Sequence, residues 1–109
     1  MAYDESVAQR VRAELDGMPG LVEKKMFGGV GFILLGNMAI GVLGSDLIVR
    51  VGAAEYAQTL AQPHVKVFDM TGRPMKGWVL VSPDGIEAEE DLRHWIEQGV
   101  TFALSLPPK

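Results

Sequence analysis

The apolar residues of this chain recur at helical spacing in three segments and form strand-like runs between them. The first helix is predicted by apolar residues that share one face: Val7, Val11, Leu15 and Met18. Asp4 is suited to cap its N-terminus, and Gly17 marks its end. A short second helix is predicted over Ala53–Gln62, where Pro63 stops it.

The third helix is predicted near the end of the chain, after a turn at Pro83-Asp84-Gly85. Its opening turn carries four acidic residues, which favour the N-terminal end of a helix: Glu87, Glu89, Glu90 and Asp91. Its apolar face continues through Leu92, Trp95, Ile96, Val100, Ala103 and Leu106.

Six strands are predicted between the helices. Three apolar runs are separated by Gly36-Asn37 and Gly44-Ser45, two-residue links that are typical of hairpin turns. These runs are Val30–Leu35, Met38–Leu43 and Asp46–Val51. A less regular strand, Leu21–Phe27, comes before them. Two more, Val65–Phe68 and Trp78–Val81, follow the second helix and are joined by the longest predicted loop, Asp69–Gly77.

This order predicts an α+β fold of a single domain over residues 1–109. Strands linked by hairpins form an antiparallel sheet, and three helices with one apolar face each would cover one side of it. We therefore expect a two-layer sandwich with a meander of hairpins and the order α-β-β-β-β-α-β-β-α.

The amino-acid composition excludes several classes of site and of binding partner. The absence of cysteine excludes disulfides, thiolate metal sites and cysteine nucleophiles. The net charge of -4 argues against binding DNA or anionic lipid with the whole surface. The acidic N-terminus does not resemble a secretory signal, and the longest apolar stretch is too interrupted for a membrane helix. These features predict a cytoplasmic protein that does not contact the membrane.

No residue pattern predicts catalysis. Gly28-Gly29 is followed by a strand, whereas a phosphate loop opens a helix. His64 and His94 lack the spaced ligands that a metal site needs, and the serines lie in turns or outside any nucleophile motif. We therefore predict no catalytic residue, no metal and no cofactor, and we expect a protein that is not an enzyme.

Two segments combine cations with large apolar residues and glycines: Lys24–Gly29 and Thr71–Trp78. Together with Arg50 they hold half of the ten basic residues. Such a composition suits a surface that binds an acidic peptide, a nucleotide or single-stranded nucleic acid. The candidate binding residues, which could meet on the sheet, are Lys25, Phe27, Gly28, Gly29, Arg50, Arg73, Lys76 and Trp78. The competing interpretation is that the aromatic residues are core and the cations protect strand ends from aggregation.

The same segments resemble the TfoX N-terminal domain family, also called the TfoX/Sxy family, which is associated with the regulation of natural competence in bacteria. The resemblance extends over essentially the whole chain. Its most specific parts are Glu23-Lys24-Lys25-Met26-Phe27-Gly28-Gly29, Gly36-Asn37-Met38, Leu47-Ile48-Val49-Arg50-Val51-Gly52, Phe68-Asp69-Met70-Thr71-Gly72-Arg73-Pro74-Met75-Lys76-Gly77-Trp78 and Ser105-Leu106-Pro107-Pro108-Lys109.

The resemblance implies a small α+β domain and a regulatory role without catalysis. It implies a protein partner, either an activator or the transcription machinery, and it brings no established catalytic residues. Full competence regulators carry a second, C-terminal domain, so we expect this chain to correspond to the N-terminal domain alone. Three other hypotheses remain open: nucleic-acid binding through the basic patch, an anion or nucleotide site at Gly28-Gly29, and a homodimer paired through a sheet edge.

Overall fold

The computed structural model describes residues 3–26, 28–69 and 72–109 and confirms the α+β fold and the predicted order of elements. A short 3-10 helix, Pro83–Gly85, forms at the predicted turn before the last helix. The helices are α1 (Glu5–Leu15), α2 (Tyr56–Leu60) and α3 (Glu89–Leu104). The strands are β1 (Leu21–Met26), β2 (Gly29–Leu34), β3 (Asn37–Leu43), β4 (Asp46–Arg50), β5 (Val65–Asp69) and β6 (Pro74–Val81).

The six strands form one antiparallel sheet in the order β1-β2-β3-β4-β6-β5. Alternate residues of the central strands, among them Phe32, Leu47 and Val49, are fully buried on one face. The apolar sides of α1 and α3 and two residues of α2, Tyr56 and Leu60, pack on this face. The helices thus form one layer and the sheet the other, which leaves the second face of the sheet without a helix.

The segment predicted as the longest loop is mostly strand, so that prediction is wrong. β6 begins at Pro74, which pairs with Asp69 across the hairpin. Gly77 has a φ of +95°, which bends the backbone of the strand. A residue with a side chain would adopt this conformation only at a cost in free energy, so glycine allows the strand to continue through the bend. The glycines and proline that suggested a loop therefore shape an irregular strand. Met70 and Thr71 lie outside the described residues.

Arginines fix α1 to its neighbours. Arg12 forms ion pairs with Glu5 and with Glu23 of β1, at 3.0 and 2.7 Å. The hydrogen bonds from Arg12 lower the pKa of Glu5. Arg10 donates to the carbonyl oxygen of Ile86 at 2.7 Å, just before α3 begins. These contacts hold α1 between β1 and the start of α3. Among the described residues, no helix has the length and apolar composition that crossing a bilayer requires.

α3 lies close to the sheet at a single glycine. A β-carbon on Gly99 would lie 2.6 Å from the carbonyl oxygen of Ala39 and 2.6 Å from Cδ1 of Ile40. The register of β2 with β3 shifts at this point, because Phe32 pairs with Ile40 while Ile33 pairs with Met38. Ala39 is therefore the extra residue of a β-bulge, and the helix contacts the sheet where the bulge is.

We predict that Gly99→Ala destabilises the protein by about 1–3 kcal/mol, because the added methyl group must displace backbone in a packed interface. In an open helix the same change stabilises by about 1 kcal/mol, so the sign of the effect is diagnostic. Urea unfolding measures it. Thr101→Ala, at an exposed position of α3, serves as the control and should change stability by no more than about 0.5 kcal/mol. A Gly99→Ala variant as stable as the wild type would show that α3 is not pressed against the bulge.

Candidate functional site

The face of the sheet that carries no helix, called the open face below, displays both cations and apolar residues. Side chains alternate along a strand, so the neighbours of the buried core residues lie on this face. Its charged residues are Lys24, Asp46, Arg50 and Lys66, and of these Lys66 pairs with Asp46 at 3.3 Å. The open face therefore has a positive charge in a chain whose net charge is -4.

The centre of the open face is apolar and contains a pair of glycines. Gly31 and Gly41 lie directly opposite each other on β2 and β3. A β-carbon on Gly41 would lie 2.6 Å from Cε of Met38 and 3.1 Å from Cδ1 of Ile48. Met38 thus lies over Gly41 and, together with Met26, over Gly31. Ile48 lies beside Gly41 and has no exposed surface although no helix lies over it. Methionine adapts its shape easily, which suits a surface that contacts another molecule.

Arg50, the last residue of β4, lies at one end of this apolar surface. Its guanidinium carbon is 4.9 Å from the ring centroid of Trp78, the residue opposite it on β6. The same carbon is 5.5 Å from the ring centroid of Phe102, which belongs to α3 on the other side of the sheet. Cations within about 6 Å of an aromatic centroid are attracted by the ring. Two rings from different layers of the fold therefore hold this guanidinium at the end of the sheet.

A glycine at position 52 makes this arrangement sterically feasible, and the backbone of Gly77 anchors it. A side chain at Gly52 would collide with the Phe102 ring, and Gly52 also has a φ of +88°. The carbonyl oxygen of Gly77 accepts hydrogen bonds from the amides of Val51 and Gly52, at 2.8 and 3.0 Å. The end of β4 is therefore tied to β6 while Phe102 packs directly on the backbone beside Arg50.

Arg50 has no acidic partner among the described residues. The cations that form ion pairs within the described residues are Arg10, Arg12, Lys66 and Arg93. Its one hydrogen bond goes to the carbonyl oxygen of Met38, and at 3.5 Å it is long. Burial lowers the pKa of the Arg50 guanidinium, which nevertheless remains protonated at neutral pH because an arginine pKa is ordinarily far higher. Arg50 is therefore a half-buried cation whose donors are mostly unused.

Such a group can bind an oxyanion. A guanidinium is planar and offers parallel N–H donors that match a carboxylate or a phosphate in a two-point contact. The two rings restrict the rotation of the Arg50 side chain, so less conformational entropy is lost when an anion binds. Replacing water around a partly desolvated cation by an anion also removes an electrostatic cost.

The other predicted residues near this site are Trp78, Lys76 and Arg73. Trp78 is half-buried, and its ring centroid is 6.3 Å from that of the buried Phe68. Lys76 is exposed on β6 two residues before Trp78, and Arg73 is exposed just before β6 begins. The structure thus brings Arg50 and the Arg73–Trp78 segment to the same end of the sheet.

Lys25, Gly28 and Gly29 are far from Arg50, so the predicted segments do not form one surface. Strands β2 and β3 separate β1 from Arg50 on β4 by about 14 Å across the sheet, and β4 adds a further spacing of about 5 Å before β6. Lys25 also pairs in register with Val30, a core residue, which places its side chain on the helical face. Gly28 lies in the turn before β2, with a φ of +78°, and Gly29 is the first residue of β2. Phe27 lies outside the described residues.

The family comparison agrees with this architecture. The family model for the TfoX N-terminal domain matches residues 13–103. The chain belongs to the TfoX N-terminal domain family. No curated protein matches the chain. The matched range contains Arg50, Trp78 and Phe102, so every residue of the aromatic clamp, defined here as Arg50 with these two rings, belongs to the TfoX N-terminal domain.

Sequence reasoning missed Phe102 and Met38. Phe102 lies off the apolar stripe of α3, between Thr101 and Ala103, and a large aromatic residue outside such a stripe was a usable signal. Met38 was assigned to a strand, but nothing in the sequence indicated that it would cover Gly41 of its own strand and Gly31 of the neighbouring strand. Across residues 3–26, 28–69 and 72–109 of this TfoX N-terminal domain, no three His, Asp or Glu side chains are grouped so as to hold a metal ion.

We predict that Arg50→Met changes the free energy of unfolding by no more than about 1 kcal/mol. The substitution loses the attraction between cation and rings, but it removes a partly desolvated charge and keeps sulfur and methylene contacts with both rings. Chemical denaturation followed by circular dichroism measures the change. A loss of more than about 2 kcal/mol would assign Arg50 to the stability of the fold rather than to binding.

Proposed function

We propose that this TfoX N-terminal domain is a regulatory domain without catalytic activity, which acts in transcriptional regulation by binding an acidic segment of a partner protein. The observation that carries the proposal is the aromatic clamp. It holds a half-buried guanidinium at the end of the open face, and no carboxylate of the described residues neutralises it. An anionic group supplied by a partner would complete it.

Charge and apolar surface together favour a protein partner. The open face presents Lys24 and Arg50 beside Met38 and the half-buried Trp78, so it suits a segment that alternates acidic and apolar side chains. Disordered regulatory segments commonly have this composition. Arg73 and Lys76 add positive charge at the same end of the sheet and would increase the rate of encounter with an acidic segment.

Nucleic acid is the competing ligand for the same cations. Its binding normally requires a long basic footprint, whereas the outer surface of α3 begins with Glu89, Glu90 and Asp91, and the net charge of the chain is -4. The flexible apolar centre of the open face would also be unused by a phosphate backbone. We therefore argue for the protein partner and treat nucleic acid as an outcome of the test.

The affinity of the domain is measured for a fluorescent peptide in which Asp or Glu alternates with Leu or Trp. It is compared with the affinity for a DNA duplex and for a single-stranded oligonucleotide. We expect the peptide to bind and Arg50→Met to weaken it about tenfold, which corresponds to about 1.4 kcal/mol. Arg93→Gln is the matched control, because Arg93 is exposed, pairs with Glu14 at 3.0 Å and loses the same charge. Fluorescence anisotropy measures each affinity. Binding of the oligonucleotides but not the peptide would overturn the proposal in favour of nucleic acid.

The regulatory part of the proposal is tested in the organism that encodes the chain. A strain lacking the gene is complemented with wild type, Arg50→Met or Arg93→Gln at equal protein levels, and transcripts are counted. We expect wild type and Arg93→Gln to restore the transcript profile and Arg50→Met to fail. Unchanged transcripts in the deletion strain would contradict a role in transcription, and full restoration by Arg50→Met would contradict the clamp as the site.

A further inference from the structure

A groove of about 620 Å³ lies on the helical side of the fold, between α2 and α3. It opens on the opposite side of the fold from the open face and shares the Phe102 ring with the aromatic clamp. Pockets that bind metabolites and drug-sized ligands have volumes of about 300–1,000 Å³, so this groove is large enough for a small molecule. Val51 and Phe102 supply apolar surface, and polar side chains of the two helices supply the rest.

The groove is acidic. Glu55, before the start of α2, and Glu97, in the middle of α3, both line it. Its lining residues include His94 but no lysine or arginine, and Arg93, one turn before Glu97 on α3, is a coulombic neighbour of that carboxylate. Within the described part of the chain, neither carboxylate takes part in an ion pair. A ligand with a positive charge would therefore be attracted to the groove, whereas an anion would be repelled.

The groove also offers unused hydrogen-bonding groups. The side-chain amides of Gln58, Gln62 and Gln98 line it and form no hydrogen bond with another described residue. Amide oxygens and carboxylates are acceptors, which suits a ligand with several N–H donors. The charge, the acceptors and the apolar surface together specify a small organic cation.

Internal hydrogen bonds fix both walls of the groove. The hydroxyl of Thr59, a side chain only 1% exposed, donates to the carbonyl oxygen of Glu55 at 2.7 Å. On the opposite wall, the hydroxyl of Ser105 donates to the carbonyl oxygen of Phe102 at 2.6 Å. Each bond stabilises the backbone conformation of its own wall, which limits the local ordering that ligand binding must impose.

We propose that this groove is a binding site for a small ammonium or guanidinium compound. The cationic group lies between Glu55 and Glu97, and the hydrocarbon part packs on Val51 and Phe102. This orientation keeps the ligand charge away from Arg50, which contacts the same Phe102 ring. The proposal requires no partner protein and does not depend on the regulatory function.

The test titrates putrescine, spermidine and agmatine into the isotopically labelled full chain at low salt, with amide signals followed by NMR. We expect at least one of the three to shift signals from both walls of the groove in a saturable way. Glutarate, a dianion with a similar carbon chain, should leave the same signals unchanged. Absence of any saturable shift at millimolar concentrations of the three amines would overturn the proposal.

Two charge-neutralising variants locate the site. Glu97→Gln should weaken binding of the amine at least about fivefold, since it removes one of the two carboxylates in the groove. Glu90→Gln is the matched control, because Glu90 is an exposed acidic residue of the same helix outside the groove. An equal loss of affinity in both variants would mean that the amine follows the overall negative charge of α3, and the groove would be rejected as a site.

Discussion

The contact between α3 and the bulged strand β3 is the constraint on which the rest of this structure depends. At Gly99 the helix backbone comes so close to the Ala39 carbonyl that no side chain fits between them. One turn further along α3, Phe102 is thereby brought down onto Gly52 and beside Arg50. A larger residue at position 99 would raise this end of α3 and separate the guanidinium from one of its two rings.

The same contact divides the surface of the protein into two chemically different sides. α3 covers the core face of the sheet and carries most of its own charge as carboxylates, including Glu97 of the groove. The open face keeps Lys24 and Arg50 and has a flexible apolar centre formed by Met38 over two glycines. A protein with a net charge of -4 can therefore offer one positive, partly apolar surface to a partner and one acidic groove to a small cation.

Phe102 connects the two sides physically. Its ring faces the groove and lies within cation–π distance of Arg50. The chain belongs to the TfoX N-terminal domain family, and the geometry adds one specific cation, Arg50, whose hydrogen-bond donors are mostly unused. The family match over residues 13–103 includes Arg50, Trp78 and Phe102.

The sequence by itself determined the fold class, the order of the helices and strands and the core faces of α1 and α3, because these depend on local periodicity and on turn residues. It also identified Arg50 and Trp78 as candidates from their composition. It could not place Lys25 on the other face and at a distance from them, since that depends on register and on strand order across the sheet.

Tertiary structure alone decided that the polar segment before Trp78 continues as β6, and that Phe102 completes a clamp around Arg50. These features arise from contacts between residues far apart in the chain. Periodicity and turn chemistry describe only near neighbours, so a bulge at Ala39 facing Gly99 has no signature in either segment alone.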